Sequence, residues 1–480
     1  MTRRKRGAWL PLAMVSFLVL MSLVGCGNIF SLFTGTTTTT STTTTTVTEV
    51  EYYSISNYTT SSQSGSVLDD GVYEASYVLV NAAAKANKLY VLNVDPSKND
   101  DITLRVGSPD GYVRGLATTT ELATYIDNNT TDTVLGGVNA DFFDITSGGP
   151  LGFTMTKGRW LTTGEFTSEG TYTATSYGPP PTFTETTATY TGHPGYSFGI
   201  KADGTAVIAQ PVVTMTFDSF TSSTQDHDDT AISILNALRA DATKTTSQPA
   251  NALRSRADNF IVLYTPDYAT STNTAAGGVE VTFSTSDTVK SDNTISGTVT
   301  AISADGNVPL VAGTMVLSGY GTGATALGDL AVGDTITISV DVNDAWDDVV
   351  ECVGGGRPDG APILVKDGAL VGADYSVYEE YSGGWYNNNP RTAVGVRADG
   401  SYFFFVVDGR QTGISDGATI DEMAQFALDL GATIAINFDG GRSSSMITAT
   451  GTKGSYNLVN IPAASGVERE DGNGIFVVTK

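Results

Sequence analysis

Short apolar runs recur along the chain between Gly, Asp, Asn and Pro, at residues 77–80, 88–94, 260–264, 279–283, 335–340, 402–407 and 433–438. They are rich in Val, Ile, Tyr, Phe and Thr. Runs of this length and composition, closed by turn formers, predict β-strands. Helical periodicity is rarer. It predicts helices over 120–127 and 230–239, and the clearest one over 420–430. There Ile420, Met423, Ala424, Ala427 and Leu428 recur at helical spacing. Thr419 and Glu422 have the spacing of a capping box, and Gly431 stands where a left-handed residue ends a helix. The expected class is α+β, a strand-rich composite domain.

Two regularities go beyond single elements. The 402–407 run is apolar throughout, as suits a strand buried on both faces, and leads into Asp408-Gly409-Arg410. The 433–438 run leads into Asp439-Gly440-Gly441. Strand–helix–strand order predicts a parallel unit with a right-handed crossover. It sets Asp408 and Asp439 at the carboxyl ends of its strands, where sites in parallel sheets form. As neighbours or next neighbours, the two carboxylates would lie roughly 5–10 Å apart. Paired carboxylates that cleave glycosidic bonds use about that spacing. The second regularity is an echo: 150–158 then 199–204, and 362–368 then 395–400. Each copy is a strand ending in Lys and a Gly turn, then an apolar-basic-Ala-Asp-Gly corner. This predicts an internal half-repeat; the other reading is chance likeness among strand–turn–strand pieces.

The ends and the composition add location. Arg3, Arg4, Lys5 and Arg6 precede an apolar stretch from Ala8 to about Val24, the layout of a secretory signal. Leu23-Val24-Gly25-Cys26 matches the bacterial lipobox, with Cys26 as the lipidated thiol. The stretch is short for a transmembrane span and stops at Cys26. Residues 36–46 are all Thr or Ser and have no apolar face to bury. The expected organisation is a signal peptide at 1–25, a lipid anchor and disordered tether at 26–65, and one folded domain at 66–480. The expected location is extracytoplasmic, lipid-anchored to a bacterial membrane, with membrane contact through the anchor alone. A net charge of −25 repels nucleic acid. With Cys26 assigned to the anchor, Cys352 stands alone as a buried small hydrophobe, and a disulfide framework is excluded. His193 and His227 are the only histidines, too few for a His-rich zinc site.

The densest candidate chemistry runs from Asn389 to Met446. Arg391 and Arg410 carry planar charged forks suited to phosphate. Gly440 and Gly441 leave room for a ligand near the backbone, and Ser443, Ser444 and Ser445 add hydroxyls. An Asp-Gly pair after a strand is also the commonest kind of turn, so the residues alone leave both readings open. Three motifs in order are Asn389-Pro390-Arg391-Thr392-Ala393-Val394-Gly395, Val407-Asp408-Gly409-Arg410-Gln411, and 435–446 with Asn437-Phe438-Asp439-Gly440-Gly441-Arg442 at its centre. Together they resemble the phosphodiester glycosidase family. Gly136-Gly137-Val138-Asn139-Ala140-Asp141-Phe142-Phe143-Asp144 is similar to that family's early Asn-Gly-Gly-Phe-Phe-type segment, and 259–266, 346–367 and 468–475 extend the resemblance.

The resemblance implies hydrolysis of a sugar-1-phosphodiester or related glycosidic bond, in cell-envelope or exported polysaccharide. It implies Asp439 and Asp408 as the acid/base or nucleophile pair. Asn139, Asp141, Arg391, Arg410, Asn437, Gly440, Gly441, Ser443 and Ser444 would hold the glycan or sugar-phosphate. Two departures stand out: Arg442 replaces the third glycine of the Asp-Gly-Gly-Gly motif, and Ala140-Asp141 replaces two small residues. If Arg442 fills the cleft, the alternative of a non-catalytic glycan-binding or envelope-structural lipoprotein gains. Asn139, Asp141 and Asp144 alternate as oxygen ligands of a divalent cation could; a turn held by Asx hydrogen bonds is the other reading. No other cofactor is implied.

Overall fold

The computed structural model describes residues 48–164, 169–177, 183–191, 195–221, 224–237, 260–355, 363–371, 387–463 and 466–480. The signal, Cys26 and the Thr-rich tract lie outside the described residues. The chain divides into Met1–Thr46 and Val47–Lys480, and the second unit carries every element below. Among the described residues no helix is long and apolar enough to cross a membrane.

Two half-sheets form the centre. The first consists of β1 (Thr154–Thr156), β2 (Arg159–Thr162), β3 (Ser197–Lys201), β4 (Ala206–Ala209) and β5 (Val349–Gly354), in the order β4-β3-β5-β1-β2. The second consists of β6 (Ile363–Lys366), β7 (Ala369–Leu370), β8 (Arg391–Arg397), β9 (Tyr402–Val407) and β10 (Ala432–Asn437), in the order β9-β8-β10-β6-β7. Chain order, spatial order and antiparallel pairing are the same in both. The register agrees too. One rung of the first runs Val207, Gly199, Cys352, Met155, and the matching rung of the second runs Phe403, Gly395, Ala435, Val365. Lys157-Gly158 and Asp367-Gly368 close the outer hairpins, all four with positive φ, as the twist of a two-residue hairpin requires. These are the pieces that echo each other in sequence.

The strand–helix–strand segment differs from expectation. β9 and β10 run the same way, but β8 lies between them and pairs antiparallel with each, so no parallel pair forms there. Both edges of β9 are already taken, by β8 and by the strand Ala86–Val94. Asp408 and Asp439 therefore leave the same end of an antiparallel sheet from next-neighbour strands.

The second half-sheet continues through Ala86–Val94 and Val72–Asn81 to Tyr58–Asp69, an exposed edge strand. Residues expected in the tether thus belong to the fold: Tyr58 pairs with Asn81, and Ile55 is buried in the core. Strand β9 shows how the layers divide. Phe403, Phe405 and Val407 face the helix that follows, whereas Tyr402, Phe404 and Val406 face the central core. Helix α1 (Thr119–Asn129) covers a five-stranded sheet that includes Thr133–Asn139 and Gly474–Thr479. Helix α2 (Thr322–Leu327) is short, and α3 (Ile420–Asp429) has the capping box of Thr419 with Glu422. The predicted 230–239 helix is absent from its described part. Thr230 and Ala231 close a strand, and Ile234–Leu235 pairs with Ile261–Tyr264. Ile234 and Leu235 bury into different core clusters on opposite sides, as extended neighbours do. These strands belong to an eight-stranded sheet inserted between β4 and β5, packed on β1 and β5 around Trp160, Trp346, Phe217 and Phe283.

Candidate active site

Strand β10 delivers Asp439 to a junction of four other segments: 139–144 after the strand Thr133–Asn139, the end of β5, the start of β8, and 468–473 before the last strand. Backbone pairing fixes the junction. Asp439 N donates to Ala140 O at 2.9 Å, and Asn139 Nδ2 donates to Asp439 O at 2.9 Å. Asn139 Oδ1 accepts from Thr392 Oγ1 at 2.8 Å and from Ser445 N at 3.1 Å. Asn139 thus spends both ends of its amide on bracing the loops. Gly441 N donates to Pro390 O at 2.8 Å, and a Cβ on Gly440 would lie 2.9 Å from that oxygen. A side chain there would push the two backbones apart.

Three carboxylates gather at this junction. Asp439 is half-buried, and Gly440 N donates to its Oδ1 at 2.8 Å. Burial pushes its carboxyl up to about 6, against the pull of the Ser443 hydroxyl, the Gly440 N–H and Arg469. Asp141 is buried, with Gly152 N donating to its Oδ2 at 2.9 Å. The N–H groups of Phe142 and Gly354 also favour its charge. Burial nevertheless holds it well above the usual carboxylate range, and the Asp439 charge adds to this. Asp471 is buried and likewise raised, first by burial and then by Asp439. Arg469 is the cation of the cluster. It stacks on Phe143 at 4.9 Å, and its Nη1 donates to Ser443 Oγ at 3.2 Å.

Buried polar atoms without a hydrogen-bond partner concentrate here: both Asp471 carboxylate oxygens, Asp141 Oδ1, Asn437 Oδ1, Ser444 Oγ and Asn473 Nδ2. Each such atom is costly in a finished core. Their concentration around half-buried Asp439 fits a ligand site.

The other expected residues take different places. Asp408 is fully buried and accepts from Tyr90 Oη at 3.0 Å, Asn460 Nδ2 at 3.0 Å and Ile461 N at 3.0 and 3.1 Å. Burial raises its pKa, while these donors and Lys88 oppose the rise. Asn460 Nδ2 also donates to Ser444 O at 3.0 Å, which ties Asp408 to the serine loop beside Asp439. Arg391 is buried, with Nε on Ala418 O at 3.0 Å and Nη2 on Asn387 O at 3.1 Å. Burial and neighbouring Arg410 lower its pKa to about 10. Arg410 is exposed, holds Asn389 Oδ1 with Nε and Nη2, and lies against Gly441. Arg442 is exposed. Asp144 caps its own turn, accepting from Thr146 N at 2.7 Å. Among the described residues no group of three or more His, Cys, Asp or Glu is placed to hold a metal ion. Cys352 is buried and free.

Sequence reasoning passed over Asp471 as a site carboxylate and Gly354 as the donor to Asp141. The signal for Asp471 was present: Asp471-Gly472 and Asn473-Gly474 stand directly before an apolar strand, the same punctuation as at Asp439.

Residues 272–478 match the family model described as phosphodiester glycosidase. No curated protein matches the chain. Among solved structures, a candidate exported protein from Burkholderia pseudomallei K96243 is similar at 18% identity and TM-score 0.59, over 89% of this chain and 100% of that one. A hypothetical protein from Synechocystis is similar at 19% identity and TM-score 0.59. That match covers 85% of this chain and only 62% of the Synechocystis chain. At these identities the likeness is one of fold. The catalytic domain of zebrafish N-acetylglucosamine-1-phosphodiester alpha-N-acetylglucosaminidase aligns over 88% of this chain and 89% of its own, at 13% identity and TM-score 0.41.

Proposed function

With residues 272–478 matching the phosphodiester glycosidase family, we propose that this chain hydrolyses a sugar-1-phosphodiester in cell-envelope or exported polysaccharide, with Asp439 as the reacting carboxylate. The observation that carries the reading is Asp439 itself: half-buried, poised at about 6, and flanked by two buried carboxyls. In a sugar-1-phosphodiester the departing group is a phosphate monoester, a weak base that leaves without being protonated first. The site then needs one carboxylate to take a proton from water or to attack the sugar, and cations to hold phosphate. A carboxyl near 6 is mostly ionised at neutral pH yet basic enough to accept a proton. Asp141 and Asp471 are held toward their neutral forms, and a neutral carboxyl donates a hydrogen bond, here to a sugar hydroxyl or a phosphate oxygen. Arg469 beside Asp439 and exposed Arg410 supply positive charge. We assign Asp408 to holding 460–461 against β9, as a positioning residue.

Lipid anchoring at Cys26, outside the membrane, remains part of the proposal; it fits a signal-like start and a structural neighbour described as a candidate exported protein. The non-catalytic alternative leaned on Arg442 filling the cleft, and an exposed Arg442 favours turnover instead. The test is release of N-acetylglucosamine from N-acetylglucosamine-1-phosphodiesters by the chain and by Asp439→Asn. Release that the substitution abolishes supports the proposal. No release by either, with the glycan still bound, overturns it in favour of a binding protein.

A further inference from the structure

A second concavity lies one loop away from the carboxylates. Tyr112, Arg114, Leu116, Ser147, Thr270 and Asn273 are among the residues that line it, with a volume of about 530 Å³, within the range of small-ligand sites. Its wall is built into the active site. Ala117 and Asp471 exchange both backbone hydrogen bonds, at 3.1 and 2.8 Å, so the residue after lining Leu116 pairs with the backbone of Asp471. Gly115, Gly148 and Gly472 continue this contact as stacked backbone. A Cβ on Gly148 would lie 1.6 Å from Gly115 O, and one on Gly472 would lie 2.2 Å from Gly148 O. Glycine at 148 and 472 lets the pocket-lining backbone and the backbone beside Asp471 touch directly.

The lining chemistry selects the occupant. Tyr112 and Leu116 are partly exposed, at 36% and 37%. A tyrosine ring offers an apolar face with a polar tip, which suits the face of a pyranose. Ser147 and Thr270 add hydroxyls, Arg114 a guanidinium, and Asn273 an amide whose Nδ2 donates to Ser271 O at 2.8 Å. Apolar face, neutral donors and one cation together match a sugar that carries a phosphodiester. We propose that this pocket is a second subsite, which holds the next sugar-phosphate unit of a polymeric substrate while its neighbour reacts at Asp439. The inference rests on the hydrolase reading and deepens it: the substrate is a repeating glycan phosphodiester rather than a single capped sugar.

The test compares two probes on the full chain: methyl N-acetylglucosamine-1-phosphate, and a synthetic trimer of N-acetylglucosamine linked through 1-phosphodiesters. The ratio of kcat/KM for trimer over monomer is read for the unsubstituted chain, Tyr112→Ala and Asn273→Gly. Asn273 has φ +54°, so glycine removes the amide without straining the backbone. The expected result is a ratio above one that falls about tenfold, equal to about 1.4 kcal/mol, in Tyr112→Ala, with a smaller fall in Asn273→Gly. Because the ratio is internal to each variant, a general loss of folded protein does not move it. A ratio unchanged by both substitutions overturns the subsite. If neither probe turns over, so that the hydrolase reading itself fails, calorimetric binding of the trimer decides. Binding weakened by Tyr112→Ala upholds the subsite; binding unchanged by it, or absent in the unsubstituted chain, overturns it.

Discussion

The two half-sheets share strand order, pairing and register, yet they end differently. By register Gly354 at the end of β5 and Asn437 at the end of β10 are equivalent. The first end offers backbone only, and its N–H favours the charged form of Asp141. The second continues through Phe438 to half-buried Asp439. What lies between the last two strands differs as well: an eight-stranded sheet in the first half, helix α3 in the second. One scaffold thus does two jobs. A strand end stripped of side chains becomes a wall against which a buried acid is held; its counterpart leads to the acid we propose as the reacting one.

Breaking the reacting end gives the largest effect. Asp439→Asn lowers sugar release by about 10²–10⁴-fold, the usual range for losing a positioned acid or base, with the circular dichroism of the folded chain retained. Breaking the wall comes next. A Cβ at Gly354 would lie 2.5 Å from Gly152 Cα and 2.6 Å from Asp141 Oδ2. Gly354→Ala therefore costs about 1–3 kcal/mol in urea unfolding, as overpacking does. Asp408 sharpens the comparison. In Asp408→Asn an amide faces the donors of Asn460 and Ile461, and stability falls by about 1–3 kcal/mol. The pH profile of sugar release stays in place if Asp439 alone sets it. A profile that loses its acid limb would make Asp408 the reacting group instead.

The smallest effect is a slope. Asp439 rises in the folded state from its ordinary 3.8 to about 6. The folded chain therefore holds this proton more tightly than the unfolded chain does. The stability it contributes is complete below pH 3.8 and is lost as pH rises toward 6. Asp439→Asn flattens that part of a curve of urea midpoint against pH. Asp141 and Asp471 are shifted in the same direction, so a residual decline survives the substitution.

Local pattern made much of this legible. The apolar run at 402–407 became β9, and the capping box at Thr419 became the start of α3. Pairing was not legible, because periodicity shows which face of a strand is buried and not which strand lies beside it. The interposed β8 is the clearest case. The expected helix at 230–239 failed in its described part for a related reason: tertiary packing draws Ile234 and Leu235 to opposite sides, as in a strand. In the site, Asp439, Asn139 and Asp141 stood out as polar residues after strands. Asp408 looked equivalent to Asp439, and only the donors around it, from Tyr90, Asn460 and Ile461, separate a braced carboxylate from a poised one.

The insertion between β4 and β5 also bears on how the chain reaches this state. Gly199 must find Cys352 across β4 and the whole eight-stranded sheet, whereas Gly395 finds Ala435 across β9, one helix and their loops. The first closure spans roughly four times as much chain and costs about 1 kcal/mol more in loop entropy. Contact order therefore favours early assembly of the second half and late docking of β5. Gly354 belongs to that late strand. The N–H of Gly354 thus reaches Asp141 only through closure of the Gly199–Cys352 loop.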